Sequence, residues 1–342
     1  MLVRRHSHTA VAAYHDLLSL LLDDAVSDIR GTPKLRARGK RAYWYDRYRI
    51  GKDMKERYLG EDTEKLRVRI NEYQSLKNSG AERARTRARL VRLLRSERFL
   101  GLDATAGSIV AGLAKSGVFN VGGVLVGTIA FLLYEGELGL RLSADETAMT
   151  NDIDLASFAT GGGSDEVAQV HVDEVLAGFR FAPVPSLERD KAWRWRQADG
   201  SSIVEFLTPS FRDEEGLRDL PQMGVSAQAL HHLEYLISEP LDAAAIYRAG
   251  ILVKIPRPEK FAIHKLIVAD RRRGGRESLK ARKDLMQAEV LMSILAEDRP
   301  SDLLEAYQDA RSRGRRWRER LDATLARAPH IAALLESAKQ ST

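Results

Sequence analysis

An α+β fold is predicted for this chain by three features of its sequence. Short apolar runs with strand character, around Val121 to Val126, Ile153 to Leu155 and Ser202 to Leu207, are separated by stretches of helical periodicity. Two of those runs carry carboxylates, Asp152, Asp154 and Glu205, amid apolar neighbours. After Pro256-x-Pro258 the pattern is helical through residues 259–342.

Taken in order, residues 1–99 read as a basic module of helices and a hairpin. A helix is expected over 9–28, a hairpin over 40–60 and a charged helical pair over 62–98. Residues 100–256 read as the α/β core, with helices over 104–116 and 165–178 and strands over 120–126, 152–157 and 202–207. Residues 257–342 form a helical region expected to pack beside the site. The apolar run Val118 to Tyr134 is broken by Asn120 and by Gly122, Gly123 and Gly127, so it reads as strand, turn and helix in a core rather than a membrane span. Arg4 and Arg5 precede a Leu-rich segment, but Asp16, Asp23 and Asp24 interrupt it; neither signal peptide nor anchor is expected. No internal repeat is evident.

Composition narrows the chemistry. The 342 residues are 44% hydrophobic, enough for a substantial core. There is no cysteine, which excludes disulfides, thiolate metal sites and a thiol nucleophile and suits a reducing cytoplasm. The eight histidines show no zinc spacing. The net charge of +6 is clustered: residues 34–58 hold ten Lys or Arg against three acids, and Arg83 to Arg98 holds seven arginines. In the first cluster Tyr43, Trp44, Tyr45, Tyr48 and Tyr58 interleave with the basic residues. That hairpin either stacks on bases and rides a nucleic-acid backbone or packs its tyrosines into a small satellite core.

The acids point to a metal. Strand side chains alternate, so Asp152 and Asp154 share a face while Ile153 and Leu155 enter the core. Like charges so placed repel, and a divalent cation held by oxygen ligands, Mg²⁺ or Mn²⁺, relieves them. Upstream, the strand ending at Val126 runs through Gly127-Thr128 into Ile129 to Tyr134, a turn whose amides and hydroxyl suit an anion at a helix N-terminus. Glu205 shares its strand face with Ile203 and Leu207, where an unpaired acid is costly. His264 reads as a packing or capping residue, and Lys283 as the partner of a neighbouring acid.

In the order Gly127-Thr128, Asp152-x-Asp154, Glu205, the chain resembles the DNA polymerase β-like nucleotidyltransferase superfamily, which implies a mixed sheet flanked by helices. The turn and the pair are 25 positions apart, about twice the usual spacing, and residues Glu135 to Thr150 read as an inserted polar loop. Ile255-Pro256-Arg257-Pro258 leading to Lys265, then Lys283-Asp284, resembles the bacterial branch related to abortive-infection and toxin-antitoxin systems. This resemblance implies Lys265 as a phosphate-binding lysine and Asp284 as a supporting acid. The expected enzyme transfers NMP from an NTP to an acceptor hydroxyl, with RNA, a tRNA 3′ end in particular, as the favoured acceptor through the basic N-terminal module. Catalytic roles fall to Asp152, Asp154, Glu205, Lys265 and Asp284, nucleotide binding to Gly127, Thr128 and Lys265, and metal binding to Asp152, Asp154 and Glu205. The alternatives are nucleotidylation of a protein by a toxin-like enzyme with an antitoxin partner, and a nucleic-acid-binding protein that has lost the chemistry. Three carboxylates facing a polyanion argue against the last.

Overall fold

In the computed structural model, residues 4–25, 31–39, 41–50, 53–143, 152–159, 170–188, 191–200, 202–211, 214–274 and 277–341 are described. The chain opens with α1 (His8–Ala25), followed by β1 (Thr32–Arg38), β2 (Arg41–Ile50), β3 (Asp53–Glu61), α2 (Glu64–Asn78) and α3 (Gly80–Ser96). Ala10, Tyr14, Leu17 and Leu21 recur along one side of α1 and bury against Val91 and Leu94 of α3 and against Phe99. Ala244 and Ile246 join this cluster from far along the chain. The expected hairpin is a three-stranded antiparallel sheet. β1 pairs with β2 from Thr32↔Arg47 to Arg38↔Arg41, yet its sequence hides it, because Pro33 is its one buried residue and it shows no apolar alternation. The turn residues Gly51 and Lys52, and residues 26–28 of the first expected helix, lie outside the described residues.

The central region runs α4 (Ala104–Ser116), β4 (Val124–Val126), α5 (Gly127–Leu138), β5 (Asp152–Ala156), α6 (Val172–Gly178), β6 (Phe181–Pro183), β7 (Arg194–Gln197), β8 (Ile203–Pro209), β9 (Leu217–Leu220), β10 (Val225–Leu230), α7 (Leu233–Ile237), β11 (Leu241–Ala245) and β12 (Ile251–Ile255). Asp103 caps α4 by accepting from the Thr105 and Ala106 amides, and Gly117 ends it in the left-handed region. A seven-stranded mixed sheet has the path β4-β5-β8-β10-β9. β5 and β10 run parallel to β8, while β4 and β9 are antiparallel to their neighbours. β7 lies antiparallel along Ile203 to Glu205 of β8 and carries β6 on its far side.

Three expectations need correcting. The strand expected from 120 is shorter: Val118–Val121 is a 3-10 turn, and Gly122 at φ +90° reverses the chain before β4. The helix expected over 165–178 is described only as α6, and 160–169 lie outside the described residues. The inserted loop does not begin at Glu135. Glu135 lies within α5, buried, accepting from the Leu100 amide at 2.6 Å and facing His6 Nε2 at 2.9 Å. Leu140 and Leu142 are buried as well, and Thr150 and Asn151 lie outside the described residues.

The last helices are α8 (Pro258–Arg271), α9 (Ser278–Asp298), α10 (Pro300–Ser312), α11 (Arg315–Arg327) and α12 (Pro329–Ser341). Pro258 and Pro300 open α8 and α10 at the position where a missing N–H costs nothing. One buried cluster joins β4, β5, β8 and α5 to α8, α9 and the helices beyond, so the helical region is packed on the sheet. No helix among the described residues is long and apolar enough to cross a membrane.

Candidate active site

Asp152 and Asp154 lie on one face of β5, with Ile153 and Leu155 each 1% exposed on the other. β8 repeats the arrangement: Val204 and Phe206 are buried, and Glu205 lies across from Asp154 in parallel register. Two short alternating strands thereby bring three carboxylates onto one face of the sheet. Burial, then repulsion from Glu205 and Asp152, pushes the Asp154 carboxyl up to about 7; Lys265 and Arg272 offset this only in part.

The glycine turn closes against this trio. Val126 pairs with Asp154 across β4 and β5. Gly127 follows at φ +66°, and a Cβ there would lie 2.1 Å from Asp154 Oδ2. Glycine is required twice over, by the backbone and by the acid beside it. Its residue begins α5, so the first amides of a buried helix open beside the carboxylates.

α8 and α9 supply the cationic wall. Asp284, 2% exposed, accepts from Lys265 Nζ at 2.6 Å and from Arg272 at 2.9 Å. Lys265 thus faces the cavity already neutralised by the acid expected to support it. Lys283 Nζ donates to Thr128 Oγ1 at 3.1 Å, at the glycine turn. Burial, with Lys265 nearby, holds the Lys283 ammonium below the usual lysine range, while Asp284, Asp152 and Asp154 pull it back. Replacing Asp284 by alanine leaves two cations uncompensated and is expected to cost about 3 kcal/mol, read as a lower urea midpoint. An unchanged midpoint would mean that Lys265 and Arg272 are solvated without it.

Gly127, Thr128, Asp152, Asp154, Glu205, Lys265 and Asp284 all line one cavity of about 480 Å³, within the range of small-molecule sites. Arg194, Arg271 and Arg272 in its wall escaped sequence reasoning, and His264, expected as a packing or capping residue, joins them. Arg194 on β7 reaches Glu205 Oε1 at 2.7 Å and lies over the Trp193 ring at 4.5 Å; its place follows from the β7 to β8 register, which no local pattern announces. Arg271 and Arg272 end α8. His264 is buried, and desolvation with Lys265, His232 and two arginines holds its imidazole well below the ordinary histidine range, so it is a neutral group in the wall. Among the described residues no three His, Asp or Glu side chains close into a metal cluster, and Glu205 is turned to Arg194.

Three acids on one sheet face, a glycine turn at a helix start and a cationic helical wall thus meet in one cavity. The chain belongs to a nucleotidyltransferase family: a family model of that description matches residues 104–312, which include every residue of the cavity named above. A second family model, for a domain of unknown function, matches residues 11–68. No curated protein matches the chain. The crystal structure of an antigenic nucleotidyltransferase-like protein from Paracoccidioides brasiliensis is similar over 70% of this chain and 94% of that one, with 18% identity and a TM-score of 0.38.

Proposed function

We propose that this chain transfers a nucleoside monophosphate from an NTP to an acceptor hydroxyl, RNA being the favoured acceptor, with release of pyrophosphate. The observation that carries the reading is the convergence of Asp152, Asp154 and Glu205 with the Gly127-Thr128 turn and the α8 and α9 cations in one cavity. The residues fit a divalent cation: the donors are all carboxylate oxygens, and burial, then the charges of Glu205 and Asp152, raise the Asp154 carboxyl. Asp152, Asp154 and Glu205 would hold it, and it would supply charge stabilisation at the reacting phosphate.

The remaining steps belong to the chain. The α5 amides, the Thr128 hydroxyl and Lys283 bind the outer phosphates. The acceptor oxygen attacks the α-phosphorus, the bond from the α-phosphorus to the bridging oxygen breaks, and pyrophosphate leaves towards Lys265 and Arg272, whose charge Asp284 keeps in place. The acceptor proton passes to the Glu205 carboxylate, which Arg194 releases to the entering phosphates. The basic N-terminal module supports an RNA acceptor.

The test is incubation of the purified chain with each α-³²P-labelled NTP, total RNA and Mg²⁺ or Mn²⁺. Label appearing in RNA, with pyrophosphate released in equal amount and both stopped by EDTA, is expected. Absence of label from RNA with all four nucleotides and both metals would overturn the assignment.

A further inference from the structure

We propose that the open face of the β1–β3 sheet binds single-stranded RNA, stacking bases on its tyrosines and gripping the backbone with its arginines. The choice of RNA over DNA rests on the acceptor proposed above; the surface stands on its own geometry.

The register sorts the side chains. Tyr45 lies between Lys34 and Tyr58, Tyr43 between Arg36 and Glu61, and Arg47 opposite Glu56, so these residues share one face. The other face is covered in part: Pro33 and Asp46 are buried, and Trp44 packs on Leu66 and Ile70 of α2 while its Nε1 donates to Asp62 at 2.8 Å, with Leu35 beside it left exposed. Both readings of the aromatic cluster therefore apply, to opposite faces. The tryptophan makes the satellite core, and the tyrosines are left outside it.

On the open face Tyr58 is 55% exposed. Its ring lies 5.6 Å from that of Tyr45 and 6.1 Å from that of Tyr43, and the Arg36 guanidinium lies 5.4 Å over Tyr45. Three rings, with Tyr58 inclined at 49° to Tyr43 and 64° to Tyr45, and one guanidinium thus cluster on this face. Around it, among the described side chains, Lys34, Arg36, Arg38, Arg41 and Arg47 outnumber Glu56 and Glu61. Glu56 accepts from Arg36 at 2.7 Å, and Glu61 lies 3.6 Å from Arg41. A surface with this charge excess suits a polyanion over a protein. Exposed rings suit bases whose faces are free, which a duplex keeps covered.

The test uses the full chain and a fluorescein-labelled single-stranded RNA of about 20 nucleotides, a length spanning one or more typical binding sites, titrated by anisotropy over a salt series. Tyr45→Ala and Tyr58→Ala are each expected to weaken binding about tenfold, with Tyr58→Phe restoring it. Neutralising Arg36 and Arg41 together to Gln is expected to flatten the log affinity against log salt slope by about 1.4. Binding unaltered by loss of the rings would overturn the proposal, as would equal affinity for DNA of the same sequence or for duplex RNA. Circular dichroism of the exposed-ring variants checks that the sheet is intact. Titration with a fluorescent ATP analogue, expected to be unchanged in the tyrosine variants, keeps the two readings apart: failure of nucleotide binding in the parent would remove the cavity's role and leave this surface standing.

Discussion

Asp152→Ala is expected to abolish nucleotide transfer while leaving the protein at least as stable as its parent. Asp152 is one of three carboxylates on a single sheet face, and its charge raises the Asp154 carboxyl, while the Lys283 ammonium that it favours has Asp284 and Asp154 besides. Removing it relieves repulsion, so the thermal midpoint should hold or rise. If the site works as proposed, the same change forfeits several kcal/mol of charge stabilisation at the reacting phosphate, on the order of 10³-fold in rate. The two readouts separate function from structure, because residues kept for chemistry are often those the fold would be better without. Label transfer and differential scanning fluorimetry on the same preparation decide it. Full transfer by the variant would remove Asp152 from the site, and a depressed midpoint with proportionate loss of transfer would make it a structural residue.

The carboxylate face was legible because strand alternation is local: Ile153 and Leu155, or Val204 and Phe206, declare which side is core, and the acids fall on the other. The α+β class followed from the same periodicities. What stayed hidden depends on pairing across distance. β1 shows no alternation because Pro33 is its one buried residue, and it is a strand by virtue of its ladder with β2. Arg194 acquires its meaning only when β7 is laid beside β8 and its guanidinium meets Glu205. The Lys265 and Lys283 pair illustrates a finer limit. Both are lysines on helices near one acid, and the helical phase that sends Lys265 to Asp284 and Lys283 to Thr128 is decided by how α8 packs on α9. Glu135 misled for a different reason: it opens a polar, glycine-containing stretch and so read as loop, yet His6 and the Leu100 amide satisfy both of its oxygens inside the fold.

Gly127→Ala carries the second large effect, and Gly122→Ala is its control. Both glycines have positive φ, +66° and +90°, so alanine at either is strained by roughly 1 to 2 kcal/mol. Their surroundings differ. A Cβ at Gly122 meets the Ser157 hydroxyl at 3.5 Å, an ordinary contact, whereas at Gly127 it meets Asp154 Oδ2 at 2.1 Å and Asp154 must move. A displacement of about 1 Å in a reacting constellation costs on the order of 10²-fold in rate. Comparable drops in melting temperature are therefore expected for the two variants, with transfer lost about a hundredfold in Gly127→Ala and retained in Gly122→Ala at a temperature where both are folded. Equal losses of transfer would mean that backbone strain at either end of β4, rather than the position of the Asp154 carboxylate, controls the site. The unequal result ties the glycine of the turn to the acid it touches, which is why a turn and an acid so far apart in sequence have to be read as one element of the site.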